Sequence, residues 1–174
     1  MNGTVVTRAK RKLFYGVPAS GGSGDPTYTR MNGFSTLTES KNPKEHTVQY
    51  VDMEMEVTTT TGVSSSYDFT FERLDPNTVH NDMTGIIDSE KIGDDAVRTF
   101  ISVDFTNKNS DGTYPAVKRD YLIVGNTIGD GTETLNYSGT LKAKTPRIEG
   151  KATISSPESG DDTNVEQITF AAGE

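Results

Sequence analysis

Two histidines, His46 and His80, and 25 carboxylates are the residues here whose types do acid–base or metal chemistry. The histidines lie in different segments, and neither stands at a metal-ligand spacing from another ligand-type residue. No carboxylate pair stands apart from the acidic background, as a general acid and its base would. Asn107, Asn109, Asp111 and Gly112 fit the first four such positions of a calcium loop. The closing position is Lys118, where a bidentate glutamate is required, so NKNSDG reads as a β-turn. The glycine-rich Gly21–Gly24 lacks the lysine and hydroxyl residue of a phosphate loop. No serine sits in a nucleophile-elbow context. Cysteine is absent, which excludes disulfides, thiol nucleophiles and thiolate metal sites. This composition fits an assembling β-protein better than an enzyme, and no cofactor or metal is expected.

Charge points the same way. The net charge is −8, yet Arg8, Lys10, Arg11 and Lys12 precede any acid. The remaining 13 basic residues face 25 acidic ones. An acidic body disfavours binding to nucleic-acid phosphates, and the basic residues are not interleaved with aromatics as a stacking platform needs. The basic segment has two readings, a solvated first strand or a dock for an acidic neighbour. The opening MNGTVVTRAKRK has no apolar signal region, and no stretch approaches a membrane span. Neither signal-directed export nor membrane insertion is expected.

The elements that would position these residues are mostly strands. Thr4–Gly16 reads as a strand or extended arm, Pro18–Tyr28 as a loop, and Thr29–Leu37 as a further strand. Thr47–Val57 and Ser64–Leu74 read as two long adjacent strands, with the Thr58–Gly62 run as the far end of their hairpin. In the second strand Tyr67, Phe69 and Phe71 alternate with Asp68, Thr70 and Glu72, so the aromatics face a core. One helix is predicted over about residues 76–92. Asp75 would cap it, Pro76 would take its first position, and Gly93 would end it. Val79, Met83, Ile86 and Ile87 follow helical spacing, with Leu74 and Val79 as a hydrophobic staple.

Strands then resume. Ala96–Thr106 places Val97, Ile101, Val103 and Phe105 on one face. Tyr114–Gly125 follows, its last part apolar on both faces. Asp130-Gly131 signals a hairpin turn before Thr132–Lys144. Ile148–Ile154 is another strand, Ser155–Asn164 a polar linker, and Val165–Phe170 a final short strand or arm. The reading is one mainly β domain spanning 1–174, a sandwich or partial barrel with one flanking helix. A basic N-terminal arm (about 1–12) and a polar C-terminal arm (about 155–174) complete it.

The order of these stretches resembles the tail tube (major tail) proteins of long-tailed bacteriophages. The resemblance is carried by KLFYGVP after a basic strand, by TYTRMNGFSTLTESKNPKEHTVQYVDM, and by the TTTTG run. It continues through YDFTFERL, the Asp-Pro-started helix, FISVDF and DYLIVGNTIGDG, and spans residues 4–154. It implies a structural virion protein of the tail, assembled in the host cytoplasm. Six copies would form a ring, and stacked rings a hollow tube lined by one continuous β-barrel that leaves no exposed edges. Viral DNA would pass through without specific binding. Partners would be further copies of the chain, a tape-measure protein, distal-tail or baseplate proteins and a terminator.

Six copies at −8 each give a ring charge near −48, a sign that repels phosphate. Within this reading, Glu54, Glu56, Asp68 and Glu72 are expected on the lumen face of Thr47–Val57 and Ser64–Leu74; an outward, solvent-facing position is the alternative. Arg8, Lys10, Arg11, Lys12, Thr59, Thr60 and Gly62 are expected at contacts between subunits or rings. Other readings are the inner tube of a contractile tail, tailocin or secretion system, and a β-sandwich glycan-binding or adhesin module.

Overall fold

The computed structural model describes residues 5–19, 21, 24–129, 133–155 and 166–173. The strands are β1 (Arg11–Val17), β2 (Thr27–Arg30), β3 (Phe34–Ser40), β4 (Pro43–Val48), β5 (Val57–Val63) and β6 (Ser66–Glu72). After helix α1 (Thr78–Asp88) come β7 (Val97–Asp104), β8 (Tyr114–Ile128), β9 (Asn136–Ala143), β10 (Ile148–Ile154) and β11 (Gln167–Ala172). Nine strands form one sheet in the order β10-β11-β2-β1-β7-β8-β9-β6-β3, while β4 and β5 pair only with each other. The chain is therefore mainly β with one helix, as the alternating patterns predict. Asp130-Gly131 and Asn164 lie outside the described residues, as does most of the Ser155–Asn164 stretch.

The long strand β8 divides the sheet. Its Tyr114–Lys118 part pairs with β10, and its Tyr121–Ile128 part pairs with β9. At the fork, Arg119 Nε donates to the Thr145 carbonyl at 2.5 Å, and the Asp120 N–H donates to Thr145 Oγ1 at 3.0 Å. Polar groups that lose their ladder partner there are thus satisfied. On one side β10-β11-β2-β1-β7-β8 closes on itself around Phe14, Ile101, Val103, Ala116, Ala152 and Ile168. On the other side β8-β9-β6-β3 stays open and carries α1 over a second core. Tyr67, Phe69, Phe71, Val79, Met83 and Ile86 are buried there. Two central strands thus bury both faces, with Tyr15 in the second core beside Phe14 in the first.

The helix is shorter than the predicted span of 76–92. Asn77, not Asp75, is its cap: Asn77 Oδ1 accepts from the Val79 and His80 N–H groups, each at 3.1 Å. Pro76 follows a cis peptide and lies outside the helix. With Asn77 as the cap, Leu74 and Val79 no longer stand at the two staple positions, and Leu74 is 44% exposed. The end comes at Ser89, ahead of Glu90 at φ 50°, and Gly93 instead opens a 3-10 turn, Gly93–Ala96. Two carboxylates fix α1 to the sheet. Asp82 accepts from the Tyr15 hydroxyl at 2.5 Å and from Arg98 Nε at 2.7 Å. Asp88 accepts from the Tyr137 hydroxyl at 3.2 Å. Burial, reinforced by the Asp82 carboxylate, raises the Tyr15 pKa well above its ordinary value.

For the described parts of the two terminal segments, the strand alternative holds. Arg8–Lys10 is a 3-10 turn, and Arg11 and Lys12 already belong to β1. At the other end, Gln167–Ala172 is inserted between β10 and β2, with Ile168 buried. Its alternation of Ile168 and Phe170 toward the barrel supplies apolar contacts that a free arm would leave in water.

His80 is fully buried between the rings of Phe34 and Phe71. The Leu74 N–H donates to Nδ1 at 3.1 Å, and Nε2 lies 3.0 Å from the Asn32 carbonyl. Nε2 must therefore carry the proton, which makes the ring neutral. It ties the β2–β3 and β6–α1 connections together. Burial lowers its pKa, with the Asn32 bond opposing. The unfolded chain then binds more protons than the folded one as pH falls below about 6.5, so this stability is complete above that pH and lost below it. Unfolding free energy, and with it the melting temperature, is expected to fall from pH 7 to 5.5, the free energy by up to about 1.4 kcal/mol per pH unit from this one group. A His80→Gln variant should start less stable and lack that part of the slope in a thermal melt series.

Candidate assembly interface

Among the described residues, the open branch β8-β9-β6-β3 has two unpaired edges. β3 pairs with β6 alone among the described residues. On the far side, β7 accompanies β8 only as far as Leu122, which leaves Ile123–Ile128 without a partner on that flank. All three pairings within the branch are antiparallel. The outer strands therefore run in opposite directions. A rotation about an axis roughly along the strands would bring β3 of one copy beside β8 of another in antiparallel sense. Unpaired ladder groups are a template for such addition.

One face of this branch covers the α1 core, and the other is polar. Hydroxyls dominate it: Thr38 lies opposite Asp68, Asp68 opposite Thr140, and Thr70 opposite Ser138. Thr127 and Ser138 share a hydrogen bond at 2.6 Å, and Thr140 Oγ1 donates to Asp68 at 3.1 Å. Asp68 and Glu72 are both exposed on this face.

Glu54 and Glu56 do not share it. The expected strand Thr47–Val57 ends at Val48, and Gln49–Glu56 is the connection between β4 and β5. That connection turns through Tyr50–Met53, where the Met53 N–H donates to the Tyr50 carbonyl at 3.0 Å. Glu54 and Glu56 are exposed at the tip of a hairpin that leaves the large sheet. Asn42 marks the departure: it adopts φ 43°, and its Nδ2 donates to the Ser64 carbonyl at 3.0 Å. Thr59, Thr60 and Gly62 consequently sit within β5, not at the hairpin's far end. Thr is a good strand former, so the Thr run belongs to the ladder itself.

The tip is apolar as well as acidic. Tyr50, Val51, Met53 and Met55 are all exposed there, Val51 completely. Nothing in the polar flanking sequence required this. Tyr50 is the one large aromatic exposed among the described residues. A stacking platform of the kind expected for a glycan-binding module is therefore not present among them.

The basic segment is partly engaged within its own chain. Lys12 Nζ donates to Glu166 at 2.8 Å, and Arg11 approaches Glu39 at 4.0 Å. Arg8 donates to the carbonyls of Arg11 at 2.6 Å and Leu37 at 2.8 Å. Arg8 and Lys10 stay exposed. In the Asn107–Gly112 turn, Asp111 accepts from Lys151 at 2.8 Å and from Thr113 at 2.6 Å. Those bonds hold its carboxyl well below the usual carboxylate range. Among the described residues no cluster of His, Asp and Glu is arranged to hold a metal, and no helix is long and apolar enough to cross a membrane.

No protein-family model and no curated protein matches the chain by sequence. Solved structures do match it. A chain of the SPP1 tail tube superposes with TM-score 0.62 at 15% identity, over 83% of this chain and 78% of that one. A chain from the tail of an empty GTA particle, refined with C6 symmetry, gives 0.58 at 11% identity, over 82% and 97%. A chain of the six-fold symmetrised anti-feeding prophage baseplate gives 0.51 at 10% identity, over 86% and 97%. At 10–15% identity these superpositions show that the chain shares its fold with tail tube and tail chains.

Proposed function

We propose that the chain is a structural subunit of a tail tube: six copies close into a ring, and rings stack into a hollow conduit for viral DNA. The observation that carries this reading is the pair of free edges, β3 and Ile123–Ile128 of β8, which run in opposite directions on one four-stranded branch. Repeating the branch around an axis pairs every edge and closes a barrel with none left over. Its polar face then lines the lumen, and α1 lies on the outer side. Growth around a tape-measure protein, from a distal-tail or baseplate platform to a terminator, belongs to the same reading, with assembly in the host cytoplasm. The subunit does no chemistry.

The likeness to the anti-feeding prophage baseplate chain supports a second reading, the inner tube of a contractile tail, tailocin or secretion system. A sheath protein in the same particle would decide between them. Negative-stain microscopy of the concentrated protein tests both. Hollow tubes or six-fold rings are expected; a strictly monomeric species would sink both.

The lumen assignment now rests on Asp68 and Glu72, on a face otherwise rich in hydroxyls. Screening confines their field to about 8–10 Å at physiological salt, so it acts only on DNA that comes close to the wall. Asp68→Lys with Glu72→Lys should leave tubes intact and slow DNA release by about tenfold at low salt, because basic side chains bind phosphate. Release of dye-labelled DNA from particles carrying the variant measures this. Unchanged release at low salt would move both residues off the lumen.

A further inference from the structure

The two flanks of the open branch differ in charge. Beside the β3 edge, the Arg8–Lys10 turn lies next to a groove of about 550 Å³ between β1 and β3, lined by Ala9, Met31, Phe34 and Leu37 among others. Arg8 meets only carbonyls there, and no described carboxylate lies within ion-pair distance of Arg8 or Lys10.

Beside the β8 edge runs the segment that leaves α1. It carries Asp88, Glu90, Asp94 and Asp95 against the single cation Lys91. Glu90 and Asp95 are exposed and have no described ion-pair partner, whereas Asp94 pairs with Lys144. Ile92, 83% exposed, projects at the rim of a groove of about 320 Å³ formed with Leu122–Gly125. β9 and β6 stand between the two flanks, about 15 Å at ordinary strand spacing. One copy cannot neutralise its own flanks.

We propose that the Glu90–Asp95 segment of one copy seats in the β1–β3 groove of the next, with Ile92 entering it and Glu90 and Asp95 facing Arg8 and Lys10. This rests on the ring reading above, because the strand addition that joins β3 to β8 brings these flanks together. The charges choose the mode of addition. Joining β3 to β3 would set basic flank against basic flank, and joining β8 to β8 would set acid against acid. Both would close a two-fold pair. Only the head-to-tail contact matches opposite signs, and a head-to-tail contact is the one that generates a ring.

Charge reversal on each flank tests the proposal, read as the rate of assembly by light scattering and by microscopy. Arg8→Glu with Lys10→Glu should slow assembly at least tenfold at low salt, and so should Glu90→Lys with Asp95→Lys. The quadruple variant, with the signs exchanged, should recover most of the wild-type rate. Thermal melts of each variant separate misfolding from lost docking, since all four residues are exposed. If wild type forms tubes and either double variant assembles at the wild-type rate, the flank pairing is wrong and the ring reading stands. Failure of the quadruple variant to recover, with all variants folded, would also overturn the pairing. If wild type forms neither rings nor tubes, the ring reading falls and takes this proposal with it.

Discussion

Replacing the Pro43–Val63 hairpin with a short Gly/Ser turn is expected to leave the subunit's melting temperature unchanged and to abolish tubes. The two halves of that expectation come from different facts. β4 and β5 pair with each other and with no strand of the large sheet, and neither contributes a residue to either core. An isolated two-stranded hairpin adds little stability in water. Its tip, however, exposes Tyr50, Val51, Met53 and Met55 together. A contiguous apolar patch on a projecting element marks a contact surface. In the ring reading the hairpin leaves the end of the branch where β3 meets β6 at Ser40 and Ser66, so it points along the tube axis toward a neighbouring ring. Calorimetry and negative-stain microscopy on the same preparation read both halves. A deletion that still forms long tubes would leave the apolar tip without a role in stacking.

Gly139→Ala is expected to cost about 3 kcal/mol, or roughly 10 °C in melting temperature. Gly139 sits opposite Gly125 on the core face of the β8–β9 pair. A Cβ at Gly139 would lie 2.2 Å from the Val124 carbonyl oxygen and 2.6 Å from Phe69 Cζ. The first clash is with backbone, so rotating a side chain cannot relieve it. The strands would have to part beneath the aromatic layer, where Phe69 stacks with Phe71 and Phe71 with Tyr137. Gly62→Ala is the control, because a Cβ there meets nothing within 4 Å. It should be neutral or slightly stabilising, since alanine reduces the freedom of the unfolded chain. Equal losses from both substitutions would show that close approach at Gly139 is not the cause.

Local patterns carried much of the fold. The two-residue period of Tyr67, Phe69 and Phe71 and the helical spacing of Val79, Met83 and Ile86 each reported the buried side of one element. The fork in β8 is not legible, because nothing between Lys118 and Tyr121 marks the change of partner from Ile148 in β10 to Ala143 in β9. The free edges follow from that fork and were equally hidden. The hairpin was misplaced for a local reason. Gly62 resembles a turn residue, while the real turn at Tyr50–Met53 carries residues that strands and turns both accept. Because β4 ends at Val48, Glu54 and Glu56 lie in the β4–β5 connection and not on the polar face. At the helix start, Asp75 and Asn77 are both good caps by type, and only the path of the chain chooses between them.

An electron cryomicroscopy map of the assembled protein, resolved well enough to trace strands, shows whether the two edges pair between subunits. The expected map is a hollow six-fold tube in which β3 of each subunit is hydrogen-bonded antiparallel to Ile123–Ile128 of its neighbour. Asp68 and Glu72 should then face the lumen and α1 the outer side. A map in which either edge remains unpaired, or in which the polar face of the branch looks away from the channel, would contradict it.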